Sequence, residues 1–222
     1  MPGMQPPEAA PGRGLIGAIL AGGQSRRLGR DKATLPLGGE PLACRLARLL
    51  APLAEEVWLI TNDPGRHARL GLPLVTDLIP GLGPLGGLAT ALFHARTPWV
   101  LLTAVDHPCL APPLLAALAQ ARGRLARPVL VCRTAIGLAP FPGLYATRLL
   151  PRVQEFLRQD QTVRRFLAAC RPQVWEPAQW HLFDPEGRSF LNLNRPEDVA
   201  PLERALVAGD KAPCTPLDPK NL

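Results

Sequence analysis

The fold of this protein is decided by LIGAIL at residues 15–20, which runs directly into AGGQSRRLGRDK at residues 21–32. The first segment is an apolar run of strand length, typical of a strand buried in a parallel sheet. The second brings a glycine pair, arginines and a lysine into one loop. Such a loop can hold an anion with backbone N–H groups and positive charge, although a basic surface turn would look similar. No Gly-Lys-Ser/Thr follows the first glycines, so it is not a Walker A loop.

Four residues of this loop are candidates for holding phosphate. Gly22 and Gly23 have no Cβ, so their backbone can approach an anion closely and adopt a positive φ at little steric cost. Arg27 and Lys32 can neutralise charge on phosphate oxygens. The stretch therefore predicts a strand that delivers a polyphosphate-binding loop.

Length and composition predict one globular domain between two proline-rich ends. The chain has 222 residues, of which 47% are hydrophobic and 19% charged, enough to bury a full core. Many of its 27 prolines lie near the termini. We expect a disordered leader at residues 1–13, a single domain at residues 14–207 and a flexible tail at residues 208–222.

The net charge of +7 suits a polyanionic ligand, but it would suit nucleic acid or an anionic membrane equally well. Aromatic residues make up only 5% of the chain, which argues against base-stacking platforms, so a non-catalytic nucleic-acid-binding protein is the weaker alternative. The five cysteines form no C-x-x-C pair, and no apolar run reaches membrane-spanning length. We expect a reduced, cytoplasmic protein that binds neither nucleic acid nor membrane.

Strand and helix patterns alternate over the first two thirds of the chain. Apolar runs predict strands at residues 57–61, 72–76, 99–105 and 129–132, and helical patterns lie at 42–53, 88–96 and 112–122. This order is typical of an α/β domain with a mostly parallel sheet. The last third is less regular, with a strand at 141–145 and helices at 149–157, 162–170 and 196–206.

Polar residues follow three of these strands at the point where each one ends. They are Asn62, Asp77 and Asp106. Ligands of open α/β sheets bind outside the carboxyl ends of the strands, where the glycine loop also lies. A lone Asp in such a place can also be a helix cap or a turn residue. Asp106 follows the most apolar strand and is the best candidate Mg²⁺ ligand, with Asp77 second or in contact with the ribose or base.

Residues 81–86, GLGPLG, match the G-x-G-x-x-G pattern of dinucleotide-binding folds. Residues 77–80 separate the preceding strand from the first glycine, so the turn is not the tight one that the pattern needs. Pro84 also removes an N–H group where pyrophosphate would need one. We therefore expect a glycine loop at residues 81–87 rather than a dehydrogenase site.

With these residues placed, the chain resembles nucleotidyltransferases that join a nucleoside monophosphate to a phosphorylated acceptor. Among these it is most similar to molybdenum cofactor guanylyltransferases, the molybdopterin-guanine dinucleotide biosynthesis protein A family. The matching residues are LAGGxSxRLGxDK at 20–32, LPLxGxPL at 35–42, Thr61-Asn62, Asp77, PGxGPLGG at 80–87, Asp106-x-Pro108 and NLNxPED at 192–198. The resemblance implies a three-layer α/β/α Rossmann-like nucleotidyltransferase fold with a mostly parallel mixed sheet.

The resemblance also implies transfer of GMP from GTP to the phosphate of molybdopterin, with release of pyrophosphate and Mg²⁺ as cofactor. The residues it assigns to nucleotide and cofactor binding are Leu20, Ala21, Gly22, Gly23, Lys32, Asn62, Asp77 and Asp106, with Asn192 and Asn194 toward the pterin. Arg27, Lys32 and Asp106 would be the catalytic residues, and Asp106 the metal ligand. No general base is needed if the attacking phosphate is already ionised.

A cytidylyltransferase or a sugar-phosphate nucleotidyltransferase on the same scaffold is the alternative, because it would share the glycine loop and Asp106 and differ in base choice. The expected partners are GTP and molybdopterin, together with molybdoenzymes or other cofactor-biosynthesis proteins. We expect a monomer.

Overall fold

The computed structural model describes the backbone of residues 12–21 and 30–209, and the side chains of residues 14–21 and 30–204. The strands are β1 Gly12–Leu20, β2 Pro36–Leu37, β3 Glu40–Pro41, β4 Ala54–Thr61, β5 Leu74–Thr76, β6 Trp99–Ala104, β7 Val129–Thr134, β8 Gly137–Ala146 and β9 Gln173–Trp175. The helices are α1 Leu42–Leu50, α2 Pro64–His67, α3 Gly83–His94, α4 Pro112–Ala121, α5 Leu150–Leu157, α6 Val163–Cys170, α7 Pro177–Trp180 and α8 Val199–Gly209. Within these ranges, none of the helices has the length and apolar character to cross a membrane.

Seven strands form one mixed sheet in the order β5-β4-β1-β6-β8-β7-β9, and β2 and β3 form a separate hairpin. The pairings among β5, β4, β1 and β6 are parallel, as is that of β7 with β9. β8 runs antiparallel to both of its neighbours. The expected α/β fold with a mostly parallel mixed sheet is confirmed.

β1 is buried on both faces, which makes it the centre of the fold. Leu15 and Ile19 point into one hydrophobic cluster, whereas Ile16, Ala18 and Leu20 point into the other. This alternation is the two-residue period of a strand, here with apolar residues on both sides. The strand therefore joins two helical layers through the sheet, as the apolar run predicted.

The glycine segment at residues 81–87 differs from the expectation. It is not a loop up to residue 87, because α3 begins at Gly83 with Pro84 in its first turn, where a missing N–H costs nothing. A Cβ on Gly87 would lie 2.7 Å from Cδ2 of Leu20, too close for any side chain. This glycine is needed for close packing of α3 on β1, not for loop flexibility.

Candidate active site

The sheet order brings the carboxyl ends of four parallel strands into one row. Leu20, at the end of β1, pairs with Ile60 on one side and Ala104 on the other. The N–H of Ala21 donates to Ile60 O at 2.8 Å, and Val105 N–H donates to Leu20 O at 3.0 Å. Adjacent strands lie about 4.8 Å apart, so the exits of β5, β4, β1 and β6 span about 14 Å. We call this row the sheet rim.

Asn62 and Asp77 lie together at one end of the sheet rim, directly after β4 and β5. The N–H of Asp77 donates to Thr61 O at 3.2 Å, which holds the two strand ends side by side. Burial raises the pKa of Asp77, and the polar side chains of Thr90 and Asn62 oppose that rise. Oδ1 of Asp77 is nevertheless buried with no hydrogen-bond partner in the described part of the chain. A half-buried acceptor beside an exposed amide can take hydrogen bonds from a ligand.

Thr90 on α3 shapes the loop between Asp77 and the helix. Its hydroxyl donates to Gly86 O at 3.0 Å and accepts from Leu78 N–H at 3.1 Å. The side chain is fully buried, so both bonds are protected from water. Sequence reasoning missed this residue, because a threonine inside an apolar helix carries no signal of such a contact.

Asp106 lies two residues beyond β6, at the other end of the sheet rim. Its backbone carbonyl accepts a hydrogen bond from Leu193 N–H at 2.8 Å. Its side chain is 36% exposed, yet Oδ1 is buried with no hydrogen-bond partner among the residues described. This oxygen lies 3.7 Å from Nε2 of His107. The carboxylate is therefore partly exposed, with one desolvated oxygen that has no hydrogen-bond partner among the residues described.

His107 is buried and held in a fixed orientation beside Asp106. Its Nδ1 lies 3.2 Å from Ser189 O, and since a carbonyl can only accept, Nδ1 carries the proton. Burial lowers the pKa of His107, the charge of Asp106 opposes that change, and the charge of Lys32 adds to it. The neutral ring thus turns an unprotonated Nε2 toward Asp106. Because the charge of Lys32 acts on the pKa of His107, Lys32 lies on the same side of the molecule as this histidine.

Lys32 and the segment 192–198 meet on the same side of the molecule as Asp106. Lys32 Nζ donates to Asn194 Oδ1 at 3.3 Å. Asn194 follows Leu193, which is fully buried and bonds Asp106 O. Lys32 and Asp106 are therefore both hydrogen-bonded to one dipeptide, Leu193-Asn194. Asn192, on the other side of Leu193, is exposed.

The remaining predicted site residues are placed as follows. Leu20 and Ala21 lie at the exit of β1, between the strands that lead to Asn62 and Asp106. Gly22, Gly23 and Arg27 lie outside the described residues.

The residues of the sheet rim fit a divalent cation bound together with a phosphate group. No three side chains of His, Cys, Asp or Glu come together as a ready-made metal site in residues 14–21 and 30–204. Mg²⁺ needs no such cluster, since it is usually held by one or two carboxylates, with phosphate oxygens and water as its other ligands. The unpartnered Oδ1 of Asp106 is an acceptor of the required kind.

Comparison with known proteins identifies the family. The model of the MobA-like NTP transferase domain matches residues 17–174. A protein of Chloroflexus aggregans named probable molybdenum cofactor guanylyltransferase is 37% identical over 198 residues, covering 83% of this chain and 91% of its own. This chain belongs to the molybdenum cofactor guanylyltransferase family. It is thus a nucleotidyltransferase.

Solved structures agree on the fold of this nucleotidyltransferase. The crystal structure of molybdopterin-guanine dinucleotide biosynthesis protein A from Archaeoglobus fulgidus has a TM-score of 0.74 at 23% identity, covering 89% of this chain and 100% of its own. The crystal structure of Rv0371C from Mycobacterium tuberculosis in complex with manganese has a TM-score of 0.55 at 23% identity, covering 74% of this chain and 87% of its own.

Proposed function

We propose that this protein transfers GMP from GTP to the phosphate of molybdopterin, releases pyrophosphate and forms the guanine dinucleotide cofactor. The observation that carries the proposal is the shared anchorage of Lys32 and Asp106. Lys32 Nζ bonds Asn194, and the carbonyl of Asp106 bonds Leu193, the preceding residue. A cation and a carboxylate anchored to adjacent residues of one segment suit a nucleoside triphosphate with its metal. The guanylyltransferase name of the family member from Chloroflexus aggregans supports guanine as the base.

The protein contributes mainly positioning and charge stabilisation to this reaction. A phosphate oxygen of molybdopterin attacks the α-phosphorus of GTP in line with the leaving pyrophosphate. Lys32 donates to the phosphate oxygens as negative charge develops on them, and Arg27 adds positive charge from the same loop. An ionised phosphate is already a nucleophile, so no side chain has to remove a proton.

Mg²⁺ is the metal that we propose for this site, held by Asp106 through the oxygen that has no partner in the described chain. When bound, it would neutralise charge on the phosphate oxygens. Asn62 and Asp77 would hold the nucleoside at the far end of the sheet rim, and Leu20, Ala21, Gly22 and Gly23 would line the phosphate site. Asn192 and Asn194 would face the pterin.

The proposed reaction also implies the substrates, the location and the partner proteins of the enzyme. Its substrates are GTP and molybdopterin, and we propose that it works as a monomer in the cytoplasm. Molybdoenzymes or other cofactor-biosynthesis proteins would receive or supply the cofactor. We propose a single domain that includes residues 14–207. The structure extends its first strand to Gly12 and its last helix to Gly209, so the predicted leader at residues 1–13 and tail at residues 208–222 each overlap an ordered element by two residues.

A nucleotide panel tests the base and the reaction. GTP, CTP, UTP and ATP are compared for their effect on the melting temperature in the presence of Mg²⁺, and each is then incubated with molybdopterin and assayed for dinucleotide. We expect stabilisation and product with GTP. A preference for CTP would instead assign the chain to the cytidylyltransferase alternative.

The Asp106→Asn variant tests the carboxylate. Loss of one preorganised electrostatic contact to a transition state typically lowers kcat by about 10²- to 10³-fold, and we expect a loss of this size with an unchanged melting temperature. Glu56→Gln is the matched control, because it neutralises an exposed carboxylate near the amino end of β4, away from the sheet rim. Near-normal turnover of Asp106→Asn would remove Asp106 from the mechanism.

A further inference from the structure

A chain of polar side chains links the segment before Lys32 to the end of β4. Thr61 Oγ1 lies 2.8 Å from Nδ1 of His67, and Nε2 of His67 lies 3.0 Å from Oδ2 of Asp31. Thr61 and His67 are each only 1% exposed, and the side chain of Asp31 is 17% exposed. Burying a polar group costs free energy unless it is hydrogen-bonded, so a buried histidine in this position suggests that the bridge has a role.

The direction of the bridge follows from its acceptors. The carboxylate of Asp31 can only accept, so Nε2 of His67 carries a proton and donates it. The hydroxyl of Thr61 accepts from Asp63 N–H at 3.0 Å and remains free to donate to Nδ1 in a neutral ring. In a charged ring, Nδ1–H would donate to the same hydroxyl oxygen. The contact of His67 with Asp31 is made in either state.

The two oxygens of Asp31 connect the backbone after Lys32 to the side chain of His67. While Oδ2 accepts from His67, Oδ1 accepts from Ala33 N–H at 2.7 Å. The chain after Lys32 is held independently, since Ala43 N–H donates to Ala33 O at 3.1 Å. On the other side of Lys32, Asp31 contacts His67 of α2, and His67 contacts Thr61 at the end of β4. The His67 bridge thus links the residue that precedes Lys32 to the sheet.

We propose that His67 is a positioning residue that sets Lys32 for the phosphates of the nucleotide by holding Asp31. The proposal rests on the proposed function of Lys32. It also gives Thr61 a role, because Thr61 immediately precedes Asn62 at the nucleoside end of the sheet rim. The bridge therefore keeps the groups for the nucleoside and for the phosphates at a fixed separation, although none of its three side chains needs to touch the substrate.

Two amide substitutions separate the contacts of His67. The amide nitrogen of His67→Gln lies near the position of Nε2 and can still donate to Asp31. The shorter side chain of His67→Asn reaches only the position of Nδ1, next to Thr61. We expect His67→Gln to keep kcat/KM for GTP within about threefold and His67→Asn to lower it about tenfold or more, with KM for molybdopterin unchanged. The reverse order would overturn the proposal, and so would equal activities of the two variants.

A double-mutant cycle with Lys32→Ala separates positioning from mere stabilisation. If His67 acts through Lys32, His67→Asn lowers kcat/KM about tenfold in the natural protein but less than about twofold in the Lys32→Ala background. Equal losses in both backgrounds would mean that His67 only supports the fold. Arg66→Ala is the control, since Arg66 lies 3.7 Å from Oδ2 of Asp31 but is 59% exposed, and we expect less than a twofold effect.

The test remains decisive if the proposed reaction is wrong. The same variants are also compared for the rise in melting temperature that GTP and CTP produce with Mg²⁺. If the natural protein binds either nucleotide but transfers no GMP, the proposed function fails. The role of His67 is still supported if the nucleotide raises the melting temperature of His67→Gln but not that of His67→Asn. If neither nucleotide binds the natural protein, both proposals fall.

Discussion

The two halves of the sheet contribute to the candidate site in different ways. In the first half, β5, β4, β1 and β6 are parallel, and their register alone places Asp77, Asn62, Leu20 and Asp106 along one rim. In the second half, β8 runs antiparallel between β6 and β7, so its amino end, rather than its carboxyl end, lies beside the carboxyl end of β6. The segment at residues 188–198 has to reach the site without a strand.

This second contribution is held by separate hydrogen bonds. Asp184 is buried and accepts from the N–H groups of Arg188 and Ser189, at 3.1 and 2.8 Å. Ser189 in turn accepts from Ala111 N–H through its hydroxyl at 2.8 Å, and from His107 through its carbonyl. We call the residues proposed to bind the nucleotide the nucleotide end, and residues 188–198, part of which is proposed to face molybdopterin, the acceptor segment or acceptor end. The placement of the strand exits at the nucleotide end depends on sheet register, whereas that of the acceptor end depends on individual side chains. Single substitutions should show this difference.

The largest effect that distinguishes the two halves is expected from Lys32→Ala compared with Asn194→Ala. Lys32 belongs to the nucleotide end, and its loss should lower kcat/KM for GTP by about 10²-fold or more. Asn194→Ala removes the acceptor of the Lys32 hydrogen bond and the amide proposed to face the pterin, and we expect it to raise KM for molybdopterin several-fold, with a smaller rise in KM for GTP. Steady-state kinetics with each substrate varied in turn measures both.

The opposite pattern would break the comparison between the halves. If Asn194→Ala raised KM for GTP and KM for molybdopterin equally, the acceptor end would not be separate from the nucleotide end. Asn192→Ala serves as the companion variant, because Asn192 is exposed on the other side of Leu193.

The predictability of the site from sequence follows the same division. The apolar run of β1 and the polar residues after β4, β5 and β6 are local signals, and they gave the correct fold and the shared rim. The contacts of His67 with Asp31 and of His107 with Ser189 join residues 36 and 82 positions apart. A local pattern carries no information on such pairs, so sequence reasoning found neither bridge.

The error at residues 81–87 has a different cause. Glycines and a proline are normally signals of a loop, and the helix was therefore expected to begin at residue 88. In the structure, Gly86 and Gly87 lie inside α3, where a Cβ would be 2.6 Å from Leu82 Cβ and 2.7 Å from Leu20 Cδ2. In the sequence, glycines needed for close packing look the same as glycines of a flexible loop. Only the residues that contact them in the folded structure distinguish the two cases.

Gly87→Ala tests how strongly the parallel half of the sheet depends on packing. The added methyl group would collide with Leu20, and overpacking of this kind typically costs about 1–3 kcal/mol. Because Leu20 ends β1 and is proposed to line the phosphate site, we also expect weaker GTP binding. Thermal unfolding and GTP titration measure the two effects.

Gly123→Ala is the matched control, since no heavy atom lies within 4 Å of the position of its Cβ, and it should leave both quantities unchanged. A destabilised Gly87→Ala protein with normal GTP affinity would show that the register of β1 tolerates a shift of Leu20. The nucleotide end would then be less dependent on packing than the sheet suggests.

The smallest effect is expected at Asp198, which fixes the turn of the acceptor segment. The N–H groups of Asn194 and Arg195 both donate to its Oδ2 at 2.8 Å, and they lower the pKa of Asp198. A carboxylate whose pKa is lower in the folded state stabilises that state above its unfolded pKa of about 3.9, and the stabilisation is lost as the pH falls through the folded value. In Asp198→Asn we therefore expect a slightly lower melting temperature at pH 7, and the difference from the natural protein should shrink as the pH falls below about 3.9. Glu203→Gln, an exposed carboxylate on α8, should show no such convergence. A difference that persists at low pH would mean that the charge of Asp198 does not hold the segment, and that the buried Leu193 alone ties the acceptor end to the sheet rim.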